Sequence, residues 1–248
     1  MNSNRESDMS NHKISEINVT LWGKNKVSFI PNLDVNIIVG INGSGKTTLL
    51  LEIEKNILTL FENKAKYIYI PSIDNLVVKD GRKKLNALSQ ALDSYIYYNK
   101  EGDSLMYYRM SMLDAPSNER LKIQHRIDNF CEVINDLYKE TGKHVEIERD
   151  KFNIHNDGSL LTTGELSSGE KQMLLLLLRV FLLNEEETVV LIDEPENSLD
   201  ISWQYKLVDM LVKLNPNAQF FITTHSPSIF GNGWGDKIIY MEDVTSKI

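Results

Sequence analysis

The chain has 248 residues, 42% of them hydrophobic and 25% charged, an ordinary globular composition with enough apolar material for a sizeable core in one large domain or two small ones. A formal net charge of −8 argues against a general polyanion binder and leaves nucleic acid unimplied. A single cysteine, Cys131, excludes an internal disulfide and reads as a small core residue in an apolar-periodic stretch. The longest apolar run, residues 173–183, is far shorter than the roughly 20 residues of a bilayer span and contains Arg179, so no membrane insertion and a cytoplasmic location are expected.

In chain order, residues 1–13 are polar throughout and read as a disordered tail. "ISEINVTLW", "KVSFI" and "VNIIVG" read as strands separated by turn signals at Gly23, Asn25, Pro31 and Asn32. A helix is predicted from Lys46 or Thr47 to about Asn63, then a strand "KYIYIPS" stopped by Pro71. Leu85, Leu88, Leu92 and Ile96 recur at helical spacing, as do Ile127, Phe130, Ile134 and Leu137, which predicts a helical insert over about 73–143. "HVEIERDKFNIH" alternates around Arg149 and Asp150 and predicts a hairpin returning to the sheet region. The loop "LSSGEKQ" opens a helix to about Asn184, followed by the strand "TVVLID", a helix from Ile201 to Leu214, and strands at "AQFFITT" and "KIIYM". Strands apolar on both faces and alternating with helices predict an α/β fold, a mostly parallel sheet flanked by helices, as one head over residues 14–248.

Gly40, Gly45, Lys46 and Thr47 satisfy G-x-x-x-x-G-K-[ST] between a strand and a helix, the setting in which backbone amides wrap a phosphate. Lys46 would meet β- and γ-phosphates, and the Thr47 hydroxyl would bind Mg²⁺. In "VVLIDEPE", Asp193 and Glu194 stand where an apolar strand leaves the core, at the edge where open α/β folds bind ligands. Two adjacent carboxylates repel unless a cation sits there; Mg²⁺ on Asp193 would leave Glu194 to polarise a water. His225 follows another apolar strand at the same expected edge, where an imidazole can bond a γ-phosphate.

These residues resemble the nucleotide-binding head of ABC-type ATPases: Walker A "GINGSGKT", signature "LSSGEKQ", Walker B "VVLIDEPE", D-loop "NSLD" and switch histidine "TTHSP", in that order across residues 14–241. The resemblance implies a P-loop NTPase fold with an N-terminal antiparallel β region and the helical insert between Walker A and signature. It implies ATP held by Gly40, Asn42, Gly43, Ser44, Gly45, Lys46, Thr47 and Thr48, Mg²⁺ held by Thr47 and Asp193, and catalysis by Glu194, His225 and Lys46. Two heads would meet face to face, Ser168, Gly169 and Glu170 of each completing the other's ATP site in trans, with Asp200 in the D-loop. The expected partners are therefore a second copy, in a homodimer or higher oligomer, and a separate effector such as a nuclease or toxin.

"LSSGEKQ" departs from the transporter-like "LSGGQ", and its Glu170 with Lys171 resembles recombination, repair and prokaryotic defence ATPases; "KYIYIPSID" ends without the transporters' Gln, and "DEPENSLDISWQ", with Trp203 and Gln204 after the D-loop, resembles the defence-associated ATPases of the AAA-labelled kind. That implies a role in anti-phage defence, with a transporter motor and a DNA-repair ATPase as the alternatives. Gln90 lies at a suitable distance for a Gln loop but on the polar side of its helix. Trp22 and Phe29 are open between an adenine-stacking role and core packing. The basic clusters Arg82, Lys83, Lys84 and Arg120, Lys122, Arg126 are open between an acidic or nucleic-acid partner and solvated helix faces.

Overall fold

The chain builds two units, the first with two sheets and the second with one. The computed structural model describes residues 13–60, 66–72, 81–98 and 104–248. Residues 1–12 of the expected tail and the side chains of Arg82, Lys83, Lys84 and Leu85 lie outside what is described. The elements are β1 (Ile17–Leu21), β2 (Asn25–Phe29), β3 (Val35–Val39), α1 (Lys46–Leu60), β4 (Tyr67–Ile70), α2 (Gly81–Asp93), α3 (Leu105–Met110), α4 (Ser117–Tyr138), β5 (Lys143–Glu148), β6 (Lys151–Asn156), β7 (Ser159–Leu161), α5 (Ser168–Phe181), β8 (Val189–Asp193), α6 (Ile201–Leu214), β9 (Gln219–Thr224), β10 (Ile238–Tyr240), α7 (Met241–Val244) and β11 (Thr245–Lys247).

The first unit takes the chain up to Ile70, Glu186–Glu194 and Asn217–Ile248. Its five-stranded sheet has the order β10-β3-β9-β8-β4, every neighbouring pair parallel. All residues of β8 and β9 are buried, which is why these strands carry apolar residues at consecutive rather than alternate positions. Leu49, Leu50, Ile53 and Ile57 of α1 cover one face, packed with Ile38, Val189, Leu191 and Phe221. Each such buried side chain contributes about 1.5–3 kcal/mol relative to exposure. In register, Asp193 pairs with Thr223 and Val39 with Thr224, so β3, β8 and β9 finish together at one edge. A smaller antiparallel sheet, β1-β2-β11, completes the unit, and its β1–β2 turn places Trp22 and Gly23 both at positive φ, closed by the Lys24 amide on the Leu21 carbonyl at 3.1 Å.

The second unit takes Pro71–Glu185 and Pro195–Pro216. In α4 the buried side chains Ile123, Ile127, Phe130, Ile134 and Leu137 recur every three or four residues, the one-sided stripe expected from the sequence. By contrast α5 is buried nearly all round, from Glu170 to Leu178 and again at Val180 and Phe181, except at Leu175 and Arg179. Ser167 and Glu170 start α5 with a reciprocal capping box, and Asp200 caps α6 by accepting the Ser202 amide at 2.8 Å. The predicted hairpin forms as β5–β6, but it does not return to the parallel sheet: it makes a separate antiparallel sheet with β7. Asn135 of α4 fixes it there, its side chain accepting from the Val145 amide at 2.6 Å and donating to the Val145 carbonyl at 3.0 Å. Among the described residues no helix is long and apolar enough to cross a membrane.

Candidate functional site

Because β3, β8 and β9 end together, residues distant in sequence converge in the first unit. Lys46 is buried, its ammonium donating to the Gly40 carbonyl at 3.0 Å and lying 3.3 Å from Glu194 Oε1. Thr47 Oγ1 reaches both carboxylate oxygens of Asp193, at 3.0 and 2.9 Å. His225 Nδ1 stands 3.8 Å from Glu194 Oε1. Glu194 has φ +44, a left-handed conformation that costs a non-glycine residue on the order of 1–3 kcal/mol unless its surroundings impose it. Here they do: its amide donates to the carbonyl of Thr223 at 3.1 Å and to the Thr223 hydroxyl at 3.2 Å.

Thr223 is a site residue that sequence reasoning missed. Its hydroxyl donates to Asp193 Oδ1 at 2.6 Å, so one threonine holds the Asp193 carboxylate and the Glu194 backbone. The available signal was a pair of threonines at the end of an apolar strand, readable as ordinary β-formers. Tyr69 also belongs to this environment; burial first, then the charges of Asp193 and Glu54, push its phenol up to about 12, so it stays neutral.

The loop before α1 has the character of a phosphate cradle. Gly45 has φ +98, and a Cβ there would meet Trp22 at 2.8 Å and Leu21 at 3.0 Å. Ser44 Oγ is buried without a hydrogen-bond partner among the described residues, and Ser44 lines a cavity of about 490 Å³ together with Gly40, His225, Tyr240 and Met241. An orphaned hydroxyl beside an open cavity and a helix start fits a phosphate oxygen. Asn42 and Gly43 are exposed in the loop and Thr48 is half-buried in the first turn of α1. Thr47 and Asp193 supply hard oxygen donors, and no cluster of three His, Cys, Asp or Glu able to hold a metal occurs among the described residues. Magnesium at this pair would therefore take its remaining oxygens from phosphate and water. Trp22 is 56% exposed and lies against Gly45, whereas Phe29 is half-buried against the core.

The signature residues lie in the second unit. Ser168 and Gly169 open α5, where first-turn amides have no intrahelical acceptor. Gly169 is sterically required: a Cβ would approach the Ser198 carbonyl to 2.6 Å. Glu170 does not face outward with them. Its amide is used by Ser167 Oγ, and its buried carboxylate accepts from the Ser167 amide at 2.8 Å and from Lys143 at 2.8 Å. Burial pushes that carboxyl up, and the Lys143 and Ser167 bonds more than offset it, holding the group below its ordinary value. Of the expected trans set, the geometry thus leaves Ser168 and Gly169 with groups to offer. Asp200 is exposed as the cap of α6. Ser72, two residues past β4, is buried and accepts from Asn197 Nδ2 at 3.0 Å. Gln90 is exposed. Cys131 is half-buried, its thiol pushed by burial up to about 11, which leaves it unreactive. Arg126 is engaged with Glu185, Asn184 and the Phe181 carbonyl.

Fold and site together define a P-loop ATPase head of the ABC type that binds ATP. Residues 107–231, half of the chain, match the family model described as "AAA domain, putative AbiEii toxin, Type IV TA system", and the chain belongs to that family. The matched stretch takes in the signature, the acidic strand end and His225; the phosphate loop lies outside it. The chain is 28% identical over 162 residues to the "Retron Vc95 probable ATPase" of Vibrio cholerae, covering 60% of this chain and 29% of that protein. It is 30% identical over 168 residues to the "Retron Ec83 probable ATPase" of Escherichia coli, covering 62% and 26%. The chain thus spans less than a third of the length of these two relatives. The SMC head domain from Thermotoga maritima shares the fold, with TM-score 0.52 at 14% identity over 90% of this chain and 92% of that one.

Proposed function

We propose that the chain is an ATP-hydrolysing head that pairs with a second copy around two MgATP molecules and thereby gates a separate effector, a nuclease or toxin, in anti-phage defence. The observation that carries this reading is the meeting of Lys46, Thr47, Asp193, Glu194 and His225 at one sheet edge beside the orphaned Ser44 hydroxyl. When bound, Mg²⁺ neutralises charge on the β- and γ-phosphates, with Thr47 and Asp193 to hold it. Lys46 binds the same phosphates, which compete with Glu194 for its ammonium. Glu194, released and turned by Thr223, orients the attacking water, and His225 bonds the γ-phosphate. Ser168 and Gly169 of the second copy close the pocket with their amides and hydroxyl.

The defence setting rests on two supports: the retron names of the relatives and the toxin–antitoxin wording of the family description. The strand "KYIYIPSID", which ends without a Gln, supports it over transport. The Glu194→Gln variant is expected to bind ATP as the parent does, to hydrolyse it roughly 100-fold more slowly or less, and to sediment at twice the monomer mass in MgATP. Parental turnover removes Glu194 from its role, and a variant that stays monomeric when saturated removes the two-copy site.

A further inference from the structure

The first turn of α5 is fastened by groups far from it in sequence. Lys143, the first residue of β5, and the Ser167 amide share one Glu170 carboxylate, each at 2.8 Å. Tyr138, fully buried at the end of α4, donates its hydroxyl to the Glu170 carbonyl at 3.1 Å. At the opposite end of α5, Arg126 of α4 donates to the Phe181 carbonyl at 2.9 Å and lies 4.8 Å from the centre of the Phe181 ring. Since Asn135 also ties α4 to Val145, one helix and one hairpin hold α5 at both ends.

Capping alone does not call for this lysine. The same chain builds a second complete capping box from Thr162 and Glu165, exposed and, among the described residues, with no lysine bonded to the glutamate. A buried ion pair is weak as a source of stability, because desolvation offsets its attraction, and its best-attested use is to fix one geometry. What the pair fixes here is the turn that presents Ser168 and Gly169.

We propose that Lys143 and Tyr138 are positioning residues that hold the Ser168 and Gly169 amides in the pose that receives the nucleotide of a second copy. This rests on the two-copy reading above. Lys143→Met should bind ATP with parental affinity yet lose roughly 10- to 100-fold in kcat, and Lys143→Arg should restore most of it. The loss lies in what the variant lends its neighbour, so mixing with Lys46→Ala should recover activity. Half of randomly mixed two-fold dimers are mixed and each has one intact site, so about a quarter of the parental rate is expected.

A mixture of Lys46→Ala with Ser168→Arg serves as the reference. If the reference recovers and the Lys143→Met mixture does not, or if Lys143→Met turns over at the parental rate, the positioning role is overturned. If the reference itself fails to recover, the two-copy reading falls and takes the proposal with it. Should Lys143→Met fail to fold and bind no nucleotide, Tyr138→Phe carries the test, since it removes one hydroxyl: the same kcat loss with intact affinity supports the role, and unchanged kcat overturns it.

Discussion

Lys46–Glu194 in the first unit and Lys143–Glu170 in the second are both lysine–glutamate pairs with little access to solvent, yet their surroundings differ at every point. The first is loose, at 3.3 Å, with a side-chain carboxylate 25% exposed and a backbone held in the left-handed region by Thr223. The second is short, at 2.8 Å, its carboxylate 4% exposed and saturated by a helix cap. A buried charge with spare bonding capacity beside a cavity is chemistry in waiting, whereas one whose every partner is supplied by the fold sets a shape.

If that contrast holds, substitutions at the two lysines should separate cleanly. Lys46→Met should cost roughly 100- to 1,000-fold in hydrolysis, together with most nucleotide affinity, while leaving the thermal midpoint near the parental value. Lys143→Met should do the reverse for binding and stability, leaving affinity intact but destabilising the fold by about 3–5 kcal/mol through the uncompensated Glu170, measurable by denaturant unfolding. A Lys143→Met protein with parental stability would break the comparison.

Acid sharpens it further. The folded-state pKa of Glu170 lies below its ordinary value of 4.5, so its contribution is fully present above 4.5 and is lost as pH falls through the lower folded value. Denaturation followed from neutral pH into that range should show the parent losing a stability increment that Lys143→Met no longer has. The smallest effect is expected from Trp22→Ala: the ring lies against Gly45, and its loss should weaken ATP by about 1 kcal/mol in a binding titration without altering kcat.

Much of the first unit was legible from the chain alone. Consecutive apolar residues in "TVVLID" and "AQFFITT" read as buried parallel strands, and they are β8 and β9. The glycine-rich loop before α1 was legible because its pattern is local: glycines, a lysine and a threonine stand within eight residues of one another. Asp193, Glu194 and His225 were legible as strand-end residues, and the parallel register then brings them to the edge occupied by Lys46. The hairpin of β5 and β6 was legible as a hairpin but not by its sheet, because alternation reports which face is buried and says nothing about which strand lies alongside.

The amino-acid sequence by itself determined the order of elements, the glycine-rich loop before α1 and the acidic strand end, since each depends on neighbours within a few residues. Tertiary structure alone decided that Thr223 would hold the Asp193 carboxylate and the Glu194 backbone, that Trp22 would lie against Gly45, and that Lys143 would close on Glu170. These contacts join residues brought together by strand register and helix packing, and no local periodicity encodes which side chain will stand opposite which.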